Sequence, residues 1–133
     1  MRLLDTNIVS DWMRGEQTVI RRLMAWRPCD LAISAITLAE ILYGIEKSRV
    51  RKGQRKRKIE SICAQLEVLE FDADVARQYA VTRARLENIG RPISERDLQI
   101  AATALAHELC VVTHNTREFD RIEGLPVDDW AEK

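Results

Sequence analysis

Four acids stand in short motifs with chemical potential: Asp5 in Leu-Leu-Asp-Thr-Asn, Glu40 in Thr-Leu-Ala-Glu, Asp97 in Ser-Glu-Arg-Asp, and Glu118 just beyond Asn115. Carboxylates brought together repel, which raises their pKa values and costs stability unless a cation offsets the repulsion. Hard divalent cations suit that setting: Mg²⁺ takes oxygen ligands, keeps several waters, and is held by one or two carboxylates plus a phosphate. Such a centre activates water and stabilises charge on both oxygens of a phosphodiester displacement. Asp5, Glu40 and Asp97 each also have a local role open to them. Asp5 can cap the helix that follows it. Thr37-Leu-Ala-Glu40 has the form of a capping box. Asp97 sits where a helix dipole favours a first-turn acid. The chemistry requires that they meet.

The elements needed to bring them together are legible. Leu3–Asp5, Leu31–Ser34, Val68–Phe71 and Cys110–Thr113 are short apolar runs that read as strands, with a fifth starting at Pro126-Val127. Between them run helical patterns: Ile8–Trp12, Val19–Trp26 stopped by Pro28, Ala35–Lys47, a segment through Ile59, Ile62, Cys63 and Leu66, one from the cap Asp72 to about Asn88, and Asp97–His107. Strands alternating with helices imply an α/β domain with a parallel sheet covered on both faces. In such sheets functional groups gather beyond the carboxyl ends of the strands, where strand order reverses. Asp5, Asp97 and Thr113-His114-Asn115 fall at or face that edge, and Glu40 lies in the helix after the second strand. One domain over 1–133 is the economical reading, without repeats or linkers.

Composition narrows the class. The chain has 133 residues, is 46% hydrophobic and 32% charged, and balances 21 basic against 21 acidic side chains. No apolar run approaches the roughly 20 residues of a membrane span, and Arg2 followed by early acids does not resemble a secretory leader. Cys29, Cys63 and Cys110 read as reduced core cysteines of a cytoplasmic protein. Two histidines, His107 and His114, cannot build a Cys/His metal cluster and are expected at the surface. Trp12, Trp26 and Trp130 are expected in core or dimer packing. From Lys47 to Lys58 there are eight basic residues in twelve and no acid. A charge run is usually a solvated face, but this density also suits a polyanion. Acids for a metal and a basic track for a phosphate backbone together suggest a metal-dependent nuclease.

These stretches resemble a known family. Leu-Leu-Asp-Thr-Asn, Ser-Ala-Ile-Thr-Leu-Ala-Glu-Ile-Leu-Tyr-Gly, Arg-Pro-Ile-Ser-Glu-Arg-Asp-Leu-Gln-Ile-Ala-Ala-Thr-Ala and Val-Val-Thr-His-Asn-Thr-Arg-Glu-Phe occur in the order found in PIN-domain ribonucleases, above all the VapC- and FitB-like toxins of bacterial toxin–antitoxin pairs. The resemblance spans essentially the whole chain. It implies a sheet of order 3-2-1-4-5 and an acidic trio, Asp5, Glu40 and Asp97, holding Mg²⁺ or Mn²⁺. Thr6 orients Asp5 within the Asp-Thr-Asn turn that includes Asn7, and Thr113 supports the site from the fourth strand. Many members carry a fourth acid where this chain has Asn115, eighteen residues after Asp97. A neutral amide weakens the hold on a second cation, so one tightly held ion is favoured over two, with Glu118 supplying charge.

The resemblance further implies water-driven cleavage of RNA, with tRNA as leading substrate, leaving a 5′-phosphate and a 3′-hydroxyl. It implies a homodimer in the bacterial cytoplasm, silenced by a VapB-like antitoxin. Arg49, Arg51, Lys52, Arg55 and Lys56 are the expected contacts to RNA or to antitoxin. Two rivals remain. Haloacid-dehalogenase-type phosphatases also end a first strand on Asp, but they need a second Asp where this chain has Asn7. A catalytically weak PIN-like module that binds RNA or a partner is kept open by Asn115.

Overall fold

A computed structural model describes residues 1–130. Five short strands, β1 (Arg2–Leu4), β2 (Leu31–Ser34), β3 (Glu67–Leu69), β4 (Cys110–Val112) and β5 (Val127–Asp128), form one sheet. The order is β3-β2-β1-β4-β5 with every neighbouring pair parallel. The helices are α1 (Thr6–Arg14), α2 (Gln17–Met24), α3 (Ala35–Lys47), α4 (Lys52–Gln65), α5 (Ala73–Asn88), α6 (Glu95–His107) and the short α7 (Thr116–Phe119).

Alternation along the strands divides the core. Leu4, Ile33 and Val112 face one side, where Ile8, Val9, Ile41, Ile45, Ile59 and Ile62 pack on them from α1, α3 and α4. Leu3, Ala32 and Val111 face the other, against Leu86, Ile100, Ala101, Ala104 and Phe119 from α5, α6 and α7. Both faces of each central strand are therefore dry, which is why these strands read as continuous apolar runs and not as alternating ones. Chain order reverses between β1 and β4, so the crevice lies above their carboxyl ends.

Side chains set the helix starts. Ser34 caps α3 by accepting from the Thr37 N–H at 3.0 Å, and Asp72 caps α5 by accepting from Val75 at 3.0 Å. Gly15, at φ 81°, closes α1 by donating to the Asp11 and Trp12 carbonyls, a left-handed conformation that suits glycine.

Several expectations change. The basic run is not a preface to a helix: Lys52–Lys58 forms the first half of α4. β3 lies at Glu67–Leu69, slightly earlier than the apolar run suggested. Pro28 does not stop α2, which ends at Met24; it starts a 3₁₀ turn, Pro28–Asp30. Cys29 is exposed on that turn, while Cys63 and Cys110 are half-buried. Trp130 is buried, and Trp26 is half-buried under the Arg2 guanidinium, 4.5 Å from its ring centre. Among the described residues no helix is long and apolar enough to cross a membrane.

Candidate active site

Asp5 leaves β1 and is only 3% exposed. Its backbone N–H still pairs with the Val112 carbonyl at 2.9 Å, so the sheet register fixes its position. Oδ1 accepts from the Thr6 N–H at 2.7 Å, while Oδ2 accepts from the Thr113 hydroxyl at 2.7 Å and the Asn7 amide at 3.3 Å. Asp5 is thus a helix cap and, at the same time, a carboxylate bound to the end of β4. Burial pushes its pKa up; the Thr113 and Thr6 hydrogen bonds oppose this, and the Glu40 charge adds to it, leaving a net rise.

Glu40 lies on α3, and Ser34 takes the capping role that the Thr37–Glu40 pattern suggested. The Glu40 side chain turns instead toward Asp5's neighbour: Oε1 accepts from the Thr6 hydroxyl at 2.6 Å. Oε2 pairs with Nη1 of Arg96 at 3.0 Å. Thr6 therefore links α1 to Glu40, with a second contact to the Thr37 hydroxyl at 3.2 Å.

Asp97 stands in the first turn of α6, where Ser94 is the cap and accepts from the Asp97 N–H at 3.3 Å. Its carboxyl is pushed up to about 7, chiefly by burial, then by a proton shared with Glu118 and by the charge of Asp5. Glu118 is lowered correspondingly by that shared proton. The Asn115 amide bridges the two, donating to Asp97 at 2.7 Å and to Glu118 at 2.9 Å. Asn115 thus relieves with N–H donors a carboxylate contact that a fourth acid would aggravate. Glu118 also accepts from the Ser94 N–H at 3.3 Å, and it does not line the cleft.

Asp5, Glu40, Asp97 and Asn115 line one open cleft of about 430 Å³, together with Thr6, Asn7, Ser10 and Arg14. Its donors to a cation are oxygens, a set suited to a hard ion such as Mg²⁺ or Mn²⁺. Among the described residues no three acidic, His or Cys side chains converge tightly enough to enclose an ion by themselves. An ion in this cleft would take its remaining ligands from water, as Mg²⁺ does readily.

A larger groove of about 690 Å³ adjoins the cleft and shares Thr6, Ser10, Arg14 and Glu40 with it. Its lining includes the apolar or aromatic Met13, Ile41 and Tyr43 and the basic Lys47, Arg51, Arg55 and Lys58. Of the basic residues singled out in the sequence, Arg51 and Arg55 line this groove. Lys52 and Lys56 pair with Glu46 at 3.8 and 2.6 Å, and Arg49 is exposed outside the lining. Arg14 and Arg96 were not anticipated; the one available signal was Arg96's place beside Asp97. His114 is not a surface residue but half-buried, with ring nitrogens 2.6 Å from Asp11 and 2.8 Å from Asp129.

A parallel sheet with three carboxylates lining one cleft at its switch point defines the class, and comparison with known proteins gives the family. The PIN-domain family model matches residues 2–125. A "tRNA(fMet)-specific endonuclease VapC" of Shigella flexneri is 36% identical over 129 residues, covering 97% of both chains. Among solved structures, DNA-bound VapBC from Salmonella typhimurium matches with a TM-score of 0.89 at 34% identity, covering 98% of this chain and 99% of that one. FitAcB from Neisseria gonorrhoeae matches with a TM-score of 0.92 at 32% identity over 100% of both chains. The chain belongs to the PIN-domain family, in the branch of the VapC and FitB proteins.

Proposed function

We propose that this protein is the toxin of a toxin–antitoxin pair, an Mg²⁺- or Mn²⁺-dependent endoribonuclease that hydrolyses tRNA in the bacterial cytoplasm. The observation that carries the reading is the continuity of the acid cleft with the basic groove. The cleft suits a cation and the groove a polyanion, and the residues they share would let both act on one substrate.

Asp5 and Asp97 would hold the ion, with Glu40 beside it. When bound, the cation supplies a Lewis acid for the phosphate and lowers the pKa of water. Thr6, Asn7 and Thr113 hold Asp5 in one orientation. Asp97, raised to about 7 chiefly by burial, would have to be deprotonated to hold a cation, so ion binding there would depend on pH near neutrality. Lys47, Arg51, Arg55 and Lys58 grip phosphates and set position without reading sequence. No side-chain nucleophile is required.

The same groove, lined by both apolar and basic side chains, suits a VapB-like antitoxin segment carrying apolar and acidic residues. Relatives of known structure include VapBC and FitAB assemblies, which supports an antitoxin partner and a multimeric complex here.

Purified protein incubated with total tRNA and Mn²⁺ should cleave it, and EDTA, Asp5→Asn or Asp97→Asn should each abolish cleavage. Intact tRNA that is tightly bound under every metal condition would instead establish a non-catalytic binding module.

A further inference from the structure

Arg96 joins the two halves of the site and has no part in holding the ion. It lies one residue before Asp97 in the first turn of α6, so the cap that fixes the acid also fixes the arginine. From there it reaches α3, and its Nη1 pairs with Oε2 of Glu40 at 3.0 Å. It lines the basic groove at the boundary with the acid cleft. The two partners differ in exposure: the Arg96 side chain is 65% exposed and that of Glu40 is 19%. Glu40 is further held through Oε1 by the Thr6 hydroxyl, so the guanidinium is the less constrained member of the pair.

An ion pair this exposed contributes little to stability, so folding alone does not account for it. Its position has a chemical consequence. A cation approaching Glu40 meets a guanidinium already on Oε2. A phosphodiester entering from the groove meets the carboxyl groups of Asp5, Glu40 and Asp97. Guanidinium has five N–H donors in a fork that matches phosphate oxygens, and the Glu40 contact engages one nitrogen.

We propose that Arg96 is a positioning residue that exchanges partners: it leaves Glu40 for a substrate phosphate, and that move frees Oε2 of Glu40 to face the cation. Substrate arrival then completes the acidic site, and the free protein is held in a state that binds the ion less tightly. This rests on the ribonuclease reading above and specifies how its two halves communicate.

The test uses the full chain as wild type, Arg96→Ala, Arg96→Gln and Arg96→Lys, each checked by thermal melting. Binding of a fluorescein-labelled single-stranded oligoribonucleotide is measured in EDTA, and Mn²⁺ binding is measured by calorimetry without RNA. Arg96→Ala and Arg96→Gln should bind the oligoribonucleotide about three- to tenfold more weakly, the loss of one charged phosphate contact. The slope of log affinity against log salt should fall by about 0.7. The same variants should bind Mn²⁺ about two- to fivefold more tightly, because the competing guanidinium is gone. Arg96→Lys should restore the salt slope while recovering only part of the RNA affinity. Opposite shifts in the two affinities are what a structural role cannot produce. Both affinities falling together, or either remaining at the wild-type value, overturns the exchange. If wild type cleaves tRNA while these arms show no opposition, only this inference fails; if wild type neither cleaves nor binds RNA, the ribonuclease reading fails and takes the exchange with it.

Discussion

Asp97 carries the clearest electrostatic signature in the protein. Its folded-state pKa, near 7, lies well above the ordinary 3.8, so the folded state binds this proton more tightly than the unfolded chain does. Its stabilising contribution is therefore full below about 3.8 and lost as pH rises through about 7 in the absence of metal. Glu118, lowered by the shared proton, works in the opposite sense and partly offsets this. In EDTA, wild type should lose melting temperature relative to Asp97→Asn as pH is raised across that window. Mn²⁺ should raise the melting temperature of wild type alone, because it binds the folded state through Asp97. A parallel pH dependence of the two proteins would remove Asp97 from the strained pair. Asn115 gives the complementary prediction. Asn115→Asp replaces two N–H donors with a third charge beside Asp97 and Glu118. It should cost about 2 kcal/mol in EDTA, read by urea unfolding, and enlarge the stabilisation by Mn²⁺.

At the level of elements, what the sequence disclosed and what it hid have separate physical causes. The strands were legible because both faces of β1, β2 and β4 are dry and their runs are apolar throughout. Asp5 was legible as a site residue because a strand end and a helix start coincide there. Glu40 matched a capping pattern that Ser34 in fact supplies, since the true cap lies three residues upstream of Thr37. The start of α4 was hidden because Lys52–Lys58 has no apolar period to read. Arg96 and His114 were hidden because their partners are remote in sequence: Glu40 is 56 residues from Arg96, and Asp11 is 103 from His114. His114 ties α1 to the segment after β5. Burial lowers its pKa, but the hydrogen bonds and charges of Asp129 and Asp11 outweigh that and raise it above 6.5. A raised histidine stabilises fully below its unfolded pKa and loses that contribution as pH rises through the folded one. The stability difference between wild type and His114→Ala should thus be largest below pH 6.5 and shrink in alkaline buffer, as followed by urea titrations. A difference that stays constant with pH would mean the ring acts by packing alone.

Over the whole molecule, zero net charge conceals a division that α4 makes physical. The helix sorts the basic run between two surroundings. Arg51 and Arg55 open onto the groove beside the acids, and Lys58 lines it while donating to the Met13 carbonyl, whereas Lys52 and Lys56 are drawn to Glu46. Charge available to a polyanion is therefore concentrated along the wall that leads to Asp5 and Asp97. Counterion release makes each phosphate contact visible as salt dependence, about 0.7 in log–log slope for a single strand. Arg51→Glu combined with Arg55→Glu should accordingly weaken oligoribonucleotide binding in EDTA and flatten its salt dependence by about 1.4, for two contacts. Lys52→Glu combined with Lys56→Glu makes the same change in net charge but places acids against Glu46. That pair should reduce stability more than RNA affinity, leaving the salt slope near the wild-type value. Equal losses of RNA affinity in the two double variants would mean that total charge governs association, by long-range attraction, and that the groove has no privileged wall.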